Sequence, residues 1–192
     1  KVGYLQFDSS ISSHNFTLPC LESKDCYIIL YAASGSTIRV DFKDYKTEEN
    51  TLFFFNIGQQ FQIGDSSNGR LIYFNPQFYC IAFHDKELTC DGVLFNNVFE
   101  TPYIVLTKDE NDAFIRIVGE IRQELNKEDY WTEEMTRTKL KELIITSSRA
   151  WVDRTSDQIY LGTPEGEVSR QFSQLLEANY HRFHRVAAYA EL

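Results

Sequence analysis

The sequence predicts an α+β chain in which an antiparallel β-unit comes first and helices follow. Two observations carry that reading. Up to Lys108 the apolar residues fall in short runs bounded by turn formers, and beyond it they recur at helical spacing. The composition agrees, because 15 Phe and 11 Tyr suit a pleated surface on which rings pack well. At 192 residues and 43% hydrophobic content the chain has ample material for a core. Folding at this size buries roughly 70% of the unfolded surface.

The runs CYIILYAASG, STIRVDF, NTLFFFNIG, FQIGD, GRLIYFN and FYCIAF read as strands. In STIRVDF, Ile38, Val40 and Phe42 alternate with Arg39 and Asp41, the pattern of a strand with one buried and one wet face. The segments SGS, GDSSNG and NPQ separate the runs as hairpin turns and short loops do. Successive strands with no long helix between them imply a sandwich or a barrel.

After Lys108, Phe114, Ile117, Val118, Ile121 and Leu125 share one helical stripe, with acids crowded into the first turn where the helix dipole favours them. A second helix is expected after Asp129, with Thr132 as N-cap and Met135, Leu140, Leu143, Ile144 and Trp151 turned toward a partner surface. A third is expected at TPEGEV, capped by Thr163 with Pro164 in first position, burying Val168, Phe172, Leu175 and Leu176. The intervening DRTSDQIYLGTPEG is polar and reads as a linker. The expected division is therefore a β-unit over 1–107, a helical segment over 108–153, a linker over 154–166 and further helices over 167–192. His181 to Arg185 reads as a solvated turn between two of these, and the helical pattern after His184 still runs at Leu192.

Charge and cysteine usage narrow the function classes. The 19 basic and 28 acidic residues give −9, spread over both halves, which opposes direct binding of a phosphate backbone. The longest apolar run, YIILYAA, falls far short of the ~20 residues a membrane span requires. No basic-then-apolar leader opens the chain, and the expected location is cytoplasmic. Cys20, Cys26, Cys80 and Cys90 form no C-x-x-C pair and are expected to be reduced.

Cys80, His84, Asp85 and Cys90 cluster in the chain, but their spacing matches no zinc pattern. In an extended FYCIAF the Cys80 thiol and His84 ring would stand more than ~10 Å apart, too far for a thiol and its activating base. The four histidines are His14, His84, His181 and His184, too few in the β-half for a three-histidine metal site. No metal, no cofactor and no enzymatic activity are expected. The stripe residues Ile117, Ile121, Leu143, Ile144 and Trp151 read as core, with a dimerisation seam as the alternative.

Three stretches carry a family likeness. TLFFFNIGQQFQI resembles a strand–turn–strand in the sensing half of AraC-family transcription regulators, with Ile57 where the turn usually has Pro and Gln60 where many relatives have His. GRLIYFNPQFYCIAFHDKELTCDGVLFNN is similar to the family's strand ending F-x-P-x-F and its following loop. FSQLLEANYHRFHRVAAYAEL resembles the lead-in to the DNA-binding half, with Val186, Tyr189 and Ala190 at matching positions.

The resemblance implies a cupin-like jelly-roll barrel that senses a small molecule, followed by a helical hairpin that pairs two subunits, and by the first helix of a helix-turn-helix module at 167–192. Candidate effector contacts are Arg39, Gln60, Tyr73 and His84, polar or amphipathic groups on strands or their ends. The effector is expected to be a small molecule such as a sugar. The assembly is expected to be a homodimer, with DNA reached only through the C-terminal module and no membrane partner. Gln60 in the turn, and the lack of any His-x-His, speak against metal bound in the cupin manner. The rival readings are a cupin-like enzyme acting on a small carbohydrate or acid, and an interaction module with a filled barrel.

Overall fold

The structure, a computed structural model, describes residues 2–8, 26–80, 94–95 and 101–154, and positions 175, 179, 182, 183 and 189. The chain divides into two compact units, Lys1–Trp151 and Val152–Leu192. In the first, β1 (Val2–Phe7), β2 (Tyr27–Ala32), β3 (Thr37–Val40), β4 (Lys43–Lys46), β5 (Thr51–Phe55), β6 (Phe61–Ile63) and β7 (Gly69–Phe74) are followed by the short helix α1 (Pro76–Cys80) and by β8 (Tyr103–Val105). The long helices α2 (Lys108–Leu125) and α3 (Thr132–Arg154) then form a hairpin. The class is α+β, with antiparallel sheets first and helices after, as the change of hydrophobic period predicts.

The strands make a five-stranded sheet, β1-β7-β2-β5-β8, and a three-stranded sheet, β4-β3-β6. All recorded pairings are antiparallel. Among the described residues the sheets do not close into a barrel. They pack face to face, and the hairpin covers the other face of the large sheet, giving three layers. Side chains alternate across a strand, so β2, β5 and β7 serve two cores at once. Ile28, Leu30, Phe53, Phe55, Leu71 and Tyr73 join Ile38 and Val40 of the small sheet between the sheets. Ile29, Tyr31, Leu52, Phe54, Ile72 and Phe74 join Phe114, Ile117, Leu140 and Leu143 on the helix side. This double duty is why YIILYA is apolar without interruption.

Several local expectations are corrected. Phe42 is fully exposed, because β3 ends at Val40 and pairs directly with Lys43, leaving Asp41 and Phe42 as a two-residue turn. Asp41 there takes a positive φ of 52°, as tight hairpin turns demand. FYCIAF is not a strand in its described part: Pro76 opens a helix, and the Asn75 carboxamide accepts the Phe78 N–H at 2.9 Å. Thr132 is the first residue of α3 rather than its cap, and the Asp129 carboxylate accepts the Trp131 N–H at 2.8 Å. Met135 is exposed rather than buried. The strands β1, β4 and β8 complete the sheets beyond the runs singled out above.

Helix α2 behaves as its stripe predicts, burying Phe114, Ile117, Val118 and Ile121. Thr107 caps it, and Glu110 returns the bond to the Thr107 N–H at 2.8 Å, closing a capping box.

In the second unit, Leu175, Asn179 and Tyr189 are helical and Arg182 lies in a turn. The Asn179 carbonyl accepts from both Arg182 and Phe183, and the buried Tyr189 donates its hydroxyl to the Phe183 carbonyl at 2.8 Å. The turn expected around 181–185 is thus present at its described positions. The expected helix from Thr163, with Val168, Phe172 and Leu176, lies outside the described residues.

Candidate functional site

Of the candidate effector contacts, the three that are described, Arg39, Gln60 and Tyr73, do not converge. Arg39 lies on the wet face of β3, where its guanidinium grips Asp44 through bonds of 2.5 and 2.8 Å. That pairing raises the Arg39 pKa and lowers that of Asp44, in each case first through the shared hydrogen bond. Gln60 is exposed in the bend before β6, and its backbone carbonyl accepts the Asp41 N–H at 2.9 Å. Tyr73 is buried between the sheets. Its ring passes directly over Gly3, where any Cβ would collide with the phenol end, so glycine in β1 makes room for it. His84 lies outside the described residues, as do Cys20, Asp85, Cys90, His14, His181 and His184. Among the described residues no group of three or more His, Cys, Asp or Glu side chains is arranged to hold a metal ion.

The space around Tyr73 is aromatic and aliphatic. Phe53 and Phe55 stack at 6.2 Å, and Phe55 stacks on Phe61 of the small sheet at 4.6 Å. Tyr73, Phe53 and Phe55 share one buried cluster with Phe7 and Cys26, and Phe61 and Tyr45 pack against it.

On the opposite face the sheet meets the hairpin through directional bonds as well as packing. The Tyr31 ring stacks on Phe114 at 5.1 Å, and its hydroxyl donates to Asn111 Oδ1 at 3.0 Å. Asn50 Nδ2 donates to the same oxygen at 2.9 Å, so one carboxamide of α2 ties β2 and the approach to β5 together. Burial pushes the Tyr31 phenol above its ordinary value, and the Arg70 charge opposes that rise. An open groove of about 360 Å³ runs along this junction, lined by Ser34, Glu48, Asn50, Thr107, Lys108 and Asn111. Its amides are already bonded to one another, so they serve to seat α2.

Two charged groups complete the seam. Arg116 and Glu120 of α2 interlock with Lys139 and Glu142 of α3, with four contacts between 2.7 and 3.2 Å. Glu120 is held below the usual carboxylate range, chiefly by Lys139, and Glu142 chiefly by Arg116. Arg137, with a side chain only 8% exposed, donates to the Phe78 carbonyl at 2.7 Å. It also covers the Phe78 ring and pairs with Glu133 and Glu134. α3 is thereby fixed to the short helix that follows β7.

Ile117, Ile121, Leu143, Ile144 and Trp151, the candidate dimerisation residues, are all buried in the core on the helix side of the large sheet. Their apolar surface is covered within the chain. Sequence reasoning passed over Tyr31, Asn111 and Arg137. The spacing of Arg137 from Glu133 and Glu134 does signal ion pairing, but nothing local signals its burial. Asn111 carries no signal, since its partners are far along the chain.

No helix among the described residues is long and apolar enough to cross a membrane. Compared with protein-family models and with curated proteins, the chain matches neither.

Proposed function

We propose that this chain is the effector-sensing and dimerisation part of an AraC-family transcription regulator, its β-unit an open version of the cupin-like jelly roll. One observation supports the reading above the others: β2, β5 and β7 are shared between two cores, with residues facing the second sheet alternating with residues facing the helical hairpin. In β7, Ile72 lies on the helix side and its neighbour Tyr73 on the sandwich side. A small molecule seated beside Tyr73 would act on α2 and α3 through a single layer of strands. Such a molecule changes the hairpin only to the extent that it binds one arrangement better than another.

In this reading pairing of two chains uses residues of the hairpin that the chain leaves uncovered, because the five stripe residues are occupied. DNA contact belongs to the helix-turn-helix module that the resemblance places from 167 onward. Arg39 and Gln60 drop out as contacts for an interior ligand, and Tyr73 remains. The packed ladder Phe53–Phe55–Phe61 favours a second reading, an interaction module with a filled interior.

Thermal unfolding in the presence of sugars and small organic acids separates the two. A ligand at a hundredfold excess over its Kd adds about 2.7 kcal/mol to stability. The sensor reading expects at least one compound to raise the Tm, with Tyr73→Phe reducing the shift. A flat response across the library supports the filled module and sets the sensor aside.

A further inference from the structure

We propose that the tip of the helical hairpin is a docking site for an arginine-bearing peptide segment of a protein partner. The turn between α2 and α3 presents Tyr130 at 86% exposure and Trp131 at 65%, with Met135 also exposed one helical turn beyond. Large aromatics left in water at a turn contribute nothing to the core, whereas Trp and Tyr are prominent among residues that anchor protein interfaces. Their geometry is already set. The Tyr130 and Trp131 rings meet edge to face at 4.8 Å, and Asp129 holds the Trp131 N–H at 2.8 Å. A partner would spend little ordering them.

The surroundings choose the occupant. Residues 124–137 carry five acids and two bases, a net −3. Both bases are engaged, Lys127 with Glu124 at 2.6 Å and Arg137 with Glu133 and Glu134. Glu128 and Asp129 stand exposed beside the rings. An acidic rim around an aromatic pair repels nucleic-acid phosphates and anionic membrane headgroups, and it repels a second identical tip. It attracts guanidinium groups, which can pair with the rim and lie over the rings. The site is independent of any ligand between the sheets.

Calorimetric titration of the 192-residue chain with a blocked peptide alternating Arg and Leu tests it. The expected result is saturable binding, absent with the same peptide carrying Glu for Arg, and weakened about tenfold or more by Trp131→Ala and by Glu128→Arg. Glu49→Arg makes the same charge change near the start of α2, about 27 Å from the tip by the rise of an 18-residue helix, and should leave affinity unchanged. Both tip positions are exposed, so circular dichroism should show wild-type melting for each variant. No saturable binding by the wild type, equal binding of the Glu peptide, or equal loss from Glu49→Arg would overturn the proposal. So would sedimentation showing that Trp131→Ala dissociates a dimer, which would make a second copy the occupant.

Discussion

The two faces of the large sheet are covered in different ways. Toward the small sheet the contact is a stack of rings and aliphatic side chains, with Phe53, Phe55 and Phe61 at its centre. Toward the hairpin, rings and aliphatics are joined by bonds that accept only one geometry: Tyr31 and Asn50 to Asn111, and Arg137 to the Phe78 carbonyl. Apolar packing sets how closely layers approach but tolerates sliding. Directional bonds set where one layer sits on another. Both faces bury apolar side chains, but their directional bonds sit differently. Between the sheets Ser36 and Asn68 bond reciprocally at the strand ends, at 3.1 and 3.2 Å, whereas on the hairpin side Tyr31 carries a bond from within the sheet to α2.

The largest test of this contrast truncates one ring on each face. Phe54→Ala opens the helix side and Phe53→Ala the sandwich side; each should cost about 3–5 kcal/mol in urea unfolding. The contrast predicts that only Phe54→Ala also speeds amide exchange in α2. Equal effects on α2 from both variants would mean that the two cores are not separately readable.

Next in size is Arg137→Met, which keeps apolar contact with Phe78 but removes the donor to its carbonyl. Leaving a buried carbonyl unsatisfied costs about 1–3 kcal/mol. Exchange should rise at the start of α3, with the sheet amides unchanged. A variant as stable as wild type would show that the guanidinium fixes nothing.

Acid should produce the smallest effect, and on the helix side it acts through the charge cluster of α2 and α3. The Glu120 and Glu142 carboxyls are held down by Lys139 and Arg116, so their contribution is present above the ordinary carboxylate range and is lost as pH falls through their lowered values. As pH falls below the ordinary glutamate range and through those lowered values, the α2–α3 seam should loosen. The double variant Glu120→Gln, Glu142→Gln should flatten this part of the pH–stability curve. An unchanged curve would remove the charge cluster from the account.

Much of this architecture could be read from residue patterns, and the failures have physical causes. YIILYA announced two-sided burial, and the stripe from Phe114 to Ile121 announced the docking face of α2. The strand β4, KDYK, is polar because it lies at a sheet edge and turns only Tyr45 partly inward, so no hydrophobic period marks it. Phe42 broke its alternation because a two-residue turn ended the strand first. At the candidate site, Arg39 was chosen for polarity although its own alternation with Ile38 and Val40 already assigned it to the wet face. Tyr73 sits in a fully apolar run, LIYF, where the phase of a strand cannot be read, and only the pairing register places it between the sheets. Asn111 and Arg137 act on partners remote in sequence, which no local window reveals.

The most direct test of the shared sheet is equilibrium unfolding in urea with one reporter on each layer. In a Trp131→Phe background the buried Trp151 reports on α3 by fluorescence, while amide exchange at Ile28 to Ala32 reports on β2. If the sheet and hairpin are one cooperative body, both signals change in a single transition with a common midpoint. A Trp151 transition completed while the β2 amides remain protected would contradict it.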